Sequence, residues 1–415
     1  MSSSRDAGLG TARKLEMHSL ALERQASNHL NLIRGVAALA VLCGHLRALF
    51  FQDLGHVFHA RAVTTILYAA TALGHEAVMV FFVLSGFFVA GSAIRMAHRW
   101  SWAKYLGNRV VRLYLVLLPA LLLTAVVDQV ALRMPLGELY FFHPIPSLNN
   151  PVPLVAAISP QVFLGNALFL QTIVVPSFGS NSPLWSLANE FWYYMLFPLI
   201  LVPFCQSRLS VRLACLGTAV AIGILLPRTI LLYFLIWLLG AAMHFLPRRP
   251  AMRSGPVLLL RTGTLALFGA SLFLTRLNLI AGLPADFVIG LSFAIFMYCL
   301  VGFRLGTPVS PQLFAPPVDT WYARFSGALA GCSYSIYAIH LPLLTLIRTT
   351  INAGRWQPTP GHTAMGFLIG VGVIGAGYIF SKATEARTGA VRARLFAWIG
   401  VRPAHDLAAE AGAGS

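Results

Sequence analysis

The chain contains ten long apolar segments, each close to the length of a membrane-spanning helix. A hydrocarbon core about 30 Å thick requires roughly 20 apolar residues in an α-helix. Because 57% of the residues are hydrophobic, 10% are charged and the mean hydropathy is +0.74, the composition excludes a soluble domain. The sequence therefore predicts an all-α polytopic membrane protein with about ten transmembrane helices. The segments lie near residues 31–51, 74–95, 109–130, 184–204, 211–227, 229–247, 257–275, 284–304, 328–350 and 364–382.

The positive charges indicate how these segments are oriented. The formal net charge is +17, with 30 Lys and Arg residues. Ten spans with a cytoplasmic N-terminus place 23 of these cations inside and 7 outside, whereas an eleventh span near 161–175 would give 14 against 16. Cytoplasmic loops carry the excess of Lys and Arg, so we predict ten spans with both termini in the cytoplasm. This distribution accounts for the basic charge without a nucleic-acid partner.

The predicted topology divides the chain into three parts. Residues 1–30 form a cytoplasmic N-terminal segment, residues 31–382 a transmembrane domain and residues 383–415 a cytoplasmic tail. The first apolar segment continues past the length of a cleaved signal sequence, so we expect it to be retained. Within the domain, residues 131–183 form an extracytoplasmic loop with a short re-entrant or interfacial helix. Such a loop is either a poorly ordered connector or a cap over an outward-facing site.

Two polar residues stand at opposite ends of the apolar stretch RGVAALAVLCGH in the first span. Arg34 and His45 are eleven residues apart, which on an α-helix is three turns and about 16 Å, so they share one face. An arginine at a helix end can extend to the membrane surface. An imidazole deep in a span must find a hydrogen-bond partner without water. His45 is therefore either a packed, neutral histidine or a functional one.

Polar side chains also occur in the fourth and ninth spans. In PLWSLANEFWYYMLFPL, Glu190 needs a partner, a proton or an aqueous cavity, because a lone buried carboxylate is costly. In SYSIYAIHLP, two polar residues share a face at i, i+3. The candidate pocket residues in these two spans are Trp185, Ser186, Tyr334, Tyr337 and His340.

Two further motifs flank the second loop. FFVLSGF contains Ser85 among large apolar side chains, where a small residue favours close helix packing. NRVVRLY places Arg109 and Arg112 at i, i+3 at the cytoplasmic start of the third span. A pair of guanidinium groups can bind phosphate through two hydrogen bonds each, although the same pair also suits lipid headgroups or topology determination.

Taken together, these stretches resemble the acyltransferase-3 family of integral membrane acyltransferases. The similarity extends from about residue 30 to about residue 380. It rests on Arg34 and His45, on FFVLSGF, on Arg109 and Arg112, on WSLANE followed by YMLFP, and on SYSIYAIHLP. The chain departs from the family where Asn31 and Met79 replace frequent aspartates, so no role of those carboxylates is transferred. Some members of the family carry an extracytoplasmic esterase-like (SGNH) domain after the last span, and we expect none here.

The resemblance implies transfer of an acyl group, by family habit acetyl, from cytoplasmic acyl-CoA to a hydroxyl of a cell-envelope saccharide. It also implies a multi-pass protein of the bacterial inner membrane, with polysaccharide O-acetylation as the typical outcome. We expect acyl-CoA as donor substrate, no bound cofactor, no metal site and contact with membrane lipids.

On this interpretation, Arg34, Arg109 and Arg112 hold the CoA phosphates, and His45 is the catalytic base or carries the acyl group itself. Glu190 orients His45 as the third member of a triad does. The remaining residues line the substrate pocket or donate to the oxyanion: Ser85, Trp185, Ser186, Tyr334, Tyr337 and His340.

Two other classes of protein fit the composition less well. A transporter or flippase of a saccharide or lipid-linked substrate would also carry polar groups at the midplane, but the chain shows no internal repeat. A haem or metal redox protein would need paired ligands, and His56 and His59 fall in a predicted outer loop. The five cysteines are scattered without CxxC spacing, which argues against a disulfide scaffold or a zinc site.

Overall fold

The structure is a computed structural model. It describes residues 3–58, 62–97, 100–143, 153–205, 208–246, 252–303, 305–306, 320–351 and 354–400. His59 of the predicted outer loop, part of the 131–183 segment and the end of the predicted tail therefore lie outside the described residues.

Nearly all of the regular structure is helical, which confirms the all-α fold. Two residue pairs, β1 (Met252–Arg253) and β2 (Leu305–Gly306), form a short parallel ladder. The helices in chain order are α1 (Ser3–Phe50), α2 (Ala62–Thr71), α3 (Gly74–Met96), α4 (Trp102–Ala131), α5 (Gly137–Phe142), α6 (Pro160–Ala167), α7 (Trp185–Cys205), α8 (Leu209–Leu225), α9 (Arg228–Ala242), α10 (Ser254–Arg276), α11 (Gly282–Gly302), α12 (Trp321–Thr350), α13 (Pro360–Ala383) and α14 (Thr388–Trp398).

Eight helical segments within the described ranges are long and apolar enough to cross a membrane. They make the chain a multi-pass membrane protein. Two other predicted spans fall on helices of 17 and 15 residues, α8 and α9, which are shorter than a typical span. The count of ten and the cytoplasmic location of both termini therefore stay predictions. The eight segments are Ala26–Phe50, Ala62–Met96, Trp102–Ala131, Ser182–Cys205, Gly255–Arg276, Gly282–Gly302, Trp321–Thr350 and Pro360–Trp398.

The eleventh apolar run, near 161–175, does not form a spanning helix. Helix α6, which covers the start of this run, has only eight residues (Pro160–Ala167). The chain then turns back, with a bridge between Gln171 and Val175. Phe169 and Thr172 take positive φ angles of 57° and 65°, a conformation that interrupts a helix. An eight-residue helix is about 12 Å long, so it cannot cross a bilayer.

The chain forms two compact units. The first contains residues 1–37, 79–87 and 236–330, and the second contains residues 38–78, 88–235 and 331–415. In the first unit, the middle of α3 packs against α9 through two glycines. A Cβ atom on Gly86 would lie 1.9 Å from the Trp237 carbonyl oxygen, and one on Gly240 would lie 1.9 Å from the Val83 carbonyl oxygen. This backbone contact allows no larger side chain at either position.

The core of the second unit joins α1, α12 and α13. Leu42 and Leu49 pack with Ile336 and Leu344, all at most 1% exposed. α13 approaches α12 closely at Gly377, where an added Cβ would lie 2.5 Å from Cγ1 of Ile336. This packing fixes the C-terminal half of α1 against α12.

The described part of the predicted outer loop is folded onto α4 by buried hydrogen bonds. The carboxylate of Asp128 accepts bonds from the backbone N–H of Ser180 at 2.8 Å and from the Ser180 hydroxyl at 2.5 Å. Asn181 donates to the hydroxyl of Thr124 at 3.0 Å and to the carbonyl of Ala338 at 2.8 Å. These bonds hold the segment around residues 180–181 against α4. Its role as a cap over an outward-facing site stays a prediction.

Candidate active site

Two histidines from distant parts of the chain meet inside the second unit. His45 lies in the last turns of α1 and His340 in the middle of α12, and Nδ1 of His45 is 3.0 Å from Nε2 of His340. Their ring centroids are 5.0 Å apart. His340 is fully buried, whereas His45 is half-buried. The sequence predicted both residues as part of the site but did not predict this pairing.

Hydrogen bonds around His340 define which nitrogens of the pair carry protons. Nδ1 of His340 faces the carbonyl oxygens of Tyr337 at 2.8 Å and Ile336 at 3.2 Å. A carbonyl only accepts, so Nδ1 of His340 is the donor and Nε2 of a neutral ring is an acceptor. Nδ1 of His45 must then donate to His340. We therefore assign the lone pair of His45 to Nε2, the nitrogen that remains for a substrate.

His45 lines a cavity of about 400 Å³ within the second unit. The walls come from α1, from the end of α2 and the start of α3, and from the junction that leads into α7. Gly44 and Gly74 let α1 and α3 approach closely, since a Cβ on Gly44 would lie 3.4 Å from the Gly74 Cα. The lining residues are Val41, Gly44, His45, Arg47, Ala48, Ala72, Gly74, His75, Val78, Ser182, Pro183, Trp185 and Tyr337.

The wall beside α7 is built from paired polar groups. The hydroxyls of Ser186 and Tyr337 are 2.6 Å apart, and the Tyr337 hydroxyl lies 3.0 Å from the Pro183 carbonyl that accepts from it. The Trp185 ring stacks on His75 with centroids 6.4 Å apart. Of the predicted pocket residues, Trp185 and Tyr337 line the cavity directly, while Ser186 and His340 support residues that do.

Glu190 has different neighbours from those that its predicted role requires. It accepts a hydrogen bond from the Tyr194 hydroxyl, and it interacts electrostatically with Arg112. The nitrogen of His45 that a triad carboxylate would hold is occupied by His340. A catalytic role for Glu190 therefore stays a prediction, but His340 is the residue placed to orient His45.

Arg112 belongs to the cluster around Glu190. It is exposed, and its electrostatic partners are Tyr194, Glu190, Glu385 and Tyr334. Glu385 also accepts from the backbone N–H and the hydroxyl of Ser335 at 3.2 and 3.1 Å. Two carboxylates beside one guanidinium reduce its attraction for phosphate. Tyr334, which was predicted as a pocket residue, donates to the Leu113 carbonyl at 3.3 Å in this cluster.

Arg109 lies among aromatic rings rather than carboxylates. Its guanidinium donates to the Ser92 hydroxyl and stands 5.5 Å from the ring centroid of Tyr105 and 5.6 Å from that of Tyr194. These two cation–π contacts and the bond to Ser92 hold the guanidinium in place. Arg109 is thus the stronger phosphate-binding candidate of the pair.

Arg34 and Ser85, the two remaining predicted site residues, are described within the first unit. Nη2 of Arg34 donates to the Ala330 carbonyl at 2.6 Å. The Ser85 hydroxyl lies 3.2 Å from Nε1 of Trp237, which donates to it, so Ser85 contributes to helix packing. A shared phosphate site of Arg34 with Arg109 and Arg112 stays a prediction.

Sequence reasoning missed two cavity residues, His75 and Arg47. The sequence contained a signal for both, because each is an ionisable residue in an apolar stretch, as His45 is. Arg47 lies two residues after His45, and its guanidinium carbon stands 5.4 Å from the Tyr68 ring centroid. Among the residues that the structure describes, no group of three His, Cys, Asp or Glu side chains is arranged to hold a metal ion.

Comparison with known proteins identifies the family of the chain. A family model described as an acyltransferase domain matches residues 28–381, so the chain belongs to the acyltransferase-3 family. It is also similar to acyltransferase MdmB of Streptomyces mycarofaciens, with 31% identity over 168 residues. That alignment covers 40% of this chain and 37% of the relative, so the chain matches little more than a third of the relative's length. No solved structure matches the chain.

Proposed function

We propose that this protein is an O-acyltransferase that moves an acyl group, by family habit acetyl, from acyl-CoA to a hydroxyl of a cell-envelope saccharide. The observation that carries this proposal is the His45–His340 pair at the wall of a cavity of about 400 Å³. An imidazole whose far nitrogen is held by a second group is the arrangement of a general base. The family assignment supplies the acyl chemistry.

The reaction follows from the proton positions. Nε2 of His45 removes the proton of the acceptor hydroxyl as its oxygen attacks the thioester carbonyl. His340 Nε2 accepts from His45 Nδ1–H throughout, which orients the ring and stabilises the imidazolium. The carbon–sulfur bond then breaks, and the thiolate takes the proton from His45 to leave as CoA–SH.

A second route passes through an acyl-histidine. Nε2 of His45 attacks the thioester carbon, and CoA leaves as the thiolate while Nδ1–H stays bonded to His340. The acceptor hydroxyl then attacks the acyl carbon, the bond from that carbon to Nε2 breaks, and Nε2 takes the hydroxyl proton and passes it to the thiolate. Both routes use the same nitrogen and the same supporting bond from His340. They differ in whether an acyl-enzyme forms before the acceptor binds.

The cavity walls also suit the developing oxyanion. α3 begins at Gly74, a lining residue, which puts the positive end of its helix dipole beside His45. The Tyr337 hydroxyl forms part of the opposite wall and can turn from the Pro183 carbonyl towards a substrate oxygen. Groups of this kind stabilise the charge of a tetrahedral intermediate.

The donor binds through its phosphates to Arg109, with a weaker contribution from Arg112. The fixed position of the Arg109 guanidinium beside the Tyr105 and Tyr194 rings supports its leading role, because a guanidinium binds phosphate through two hydrogen bonds. In the cell, the protein acts as a multi-pass enzyme of the bacterial inner membrane. Its donor then comes from the cytoplasm and its saccharide is presented by the cell envelope.

The test is release of free CoA by purified protein given acetyl-CoA and a bacterial envelope glycan extract. We expect release that depends on the glycan and that is lost in His45→Ala. His56→Ala is the matched control, because His56 is an exposed histidine outside the cavity. Equal release by wild type and His45→Ala would contradict the proposed role of His45. Binding of the saccharide without any release would favour transport instead.

A further inference from the structure

A second concavity lies against the opposite face of α1. It is a groove of about 300 Å³ between α1, α2 and α13, and its walls are almost entirely apolar. Leu42, Cys43 and Leu46 of α1 line the groove, whereas Val41, Gly44, His45 and Ala48 line the catalytic cavity. At 100° per residue, these two sets of residues point to opposite sides of the helix.

The groove is open at the protein surface. Three of its lining residues expose large apolar side chains, Leu67 by 47%, Phe367 by 71% and Val371 by 49%. Gly366 and Gly370 on α13 keep the groove floor free of bulky side chains. In a membrane-spanning region, such a groove accepts hydrocarbon chains from the lipid phase.

Arg47 is the residue that the groove and the catalytic cavity share. It lines both concavities and lies in the last turn of α1, on the edge between the two helix faces. The Tyr68 ring lies 5.4 Å from its guanidinium carbon and is itself part of the groove wall. An ionisable residue within an apolar segment is by default a candidate functional residue.

We propose that the acyl acceptor is a saccharide attached to a long-chain lipid phosphate, with the chain in the groove and the phosphate at Arg47. The inference rests on the proposed acyl transfer and names its acceptor. The order of the three sites matches the order of groups in such a molecule. The groove would hold the hydrocarbon chain, Arg47 the phosphate and the catalytic cavity the sugar hydroxyl. A guanidinium suits the middle position because it binds phosphate through two hydrogen bonds.

The order of groove, Arg47 and cavity argues against a long-chain acyl donor as the ligand of the groove. In a fatty acyl thioester the hydrocarbon chain joins the reacting carbonyl directly, with no anion between them. A cation at the junction would then face an uncharged segment, and the phosphates of the donor would lie beyond the cavity. The placement of Arg47 therefore fits the acceptor.

The test is retention of defined lipids by purified protein in nanodiscs, measured by native mass spectrometry. The probes are a polyisoprenyl phosphate, the matching polyisoprenol without phosphate, and phosphatidic acid. We expect wild type to retain the polyisoprenyl phosphate and Arg47→Gln to retain it about tenfold less, because one charge-assisted contact is lost. Arg47→Lys should recover part of the binding. Phosphatidic acid retained equally would identify a glycerolipid as the source of the same chemistry.

Groove variants test the path of the chain. Gly370→Leu should fill the groove, where its Cβ would lie 3.5 Å from Cδ1 of Leu46, an ordinary contact. Val371→Trp is a second variant that fills the groove from an exposed position. Gly372→Leu is the matched control on the same helix, since nothing lies within 4 Å of its Cβ. We expect both groove variants, but not the control, to lose lipid phosphate.

Three results would overturn the inference: no lipid retained by wild type, equal retention of polyisoprenol and its phosphate, or full retention by folded Gly370→Leu and Val371→Trp. His45→Gln separates this inference from the proposed reaction, because it should abolish transfer and leave lipid retention unchanged. If the wild-type protein retains the lipid phosphate through Arg47 but shows no transfer activity, the result contradicts the proposed reaction and not the lipid-binding inference.

Discussion

His340 holds Nδ1 of His45 at 3.0 Å across 295 residues of sequence. We expect His340→Ala to lower kcat by about 10²-fold, within the range for loss of general base function, with little change in KM. His340→Gln should recover part of the activity, because an amide oxygen can accept from His45 Nδ1–H. The measurement is kcat and KM for CoA release. Equal activities of His340→Ala and wild type would show that the pair only packs.

Arg109 should determine the affinity for the donor. We expect Arg109→Gln to raise the KM for acyl-CoA about tenfold and to leave kcat nearly unchanged, since the contact is to a non-reacting part of the substrate. Arg95→Gln is the control, because Arg95 is an exposed arginine at the end of α3. A lost kcat with an unchanged KM would rule out phosphate binding by Arg109.

Arg112 should act mainly through charge balance with Glu190 and Glu385. We expect Arg112→Gln to lower the melting temperature only slightly, because two carboxylates lose a nearby cation and an exposed ion pair contributes about 0–1 kcal/mol. The double variant Arg112→Gln, Glu385→Gln should recover part of that loss. Thermal unfolding in detergent checks both expectations, and a double variant less stable than the single one would contradict them.

The Tyr337 hydroxyl should contribute to catalysis at the cavity wall. We expect Tyr337→Phe to lower kcat about tenfold, as removal of one hydrogen bond from an oxyanion-stabilising network would. Tyr378→Phe serves as control, since Tyr378 is 47% exposed and lies outside the cavity. If both variants kept wild-type kcat, Tyr337 would have only a structural part in the wall.

Gly179 should help to hold the neighbouring Ser180 and Asn181 against α4. It has φ +54°, and an added Cβ would lie 2.0 Å from Oδ2 of Asp128. We expect Gly179→Ala to reduce the free energy of unfolding by about 1–3 kcal/mol, because the residue becomes strained and the Asp128–Ser180 bonds are disturbed. Gly217→Ala, in open space on α8, should be neutral or stabilising. Thermal unfolding distinguishes the two variants.

Local sequence patterns were sufficient for much of the architecture. Long apolar runs require helices in a membrane, because backbone polar groups there have no water to bind. The predicted exclusion of residues 161–175 from the spans agrees with α6 and its following turn. The RxxxxxxxxxxH and SYSIYAIHLP motifs led to His45 and His340 because ionisable groups in apolar runs are costly.

The sequence by itself determined the helical membrane fold, the family and most of the polar residues of the site. Only the tertiary structure decided which of them meet. Helical periodicity relates residues three or four positions apart, but it carries no information on contacts such as the one between α1 and α12. Packing through residues such as Gly377 and Ile336 brings His340 to His45, while Glu190 is directed to Arg112. For the same reason, Arg47 was identified only when helix packing placed one apolar groove and one polar cavity on either side of α1.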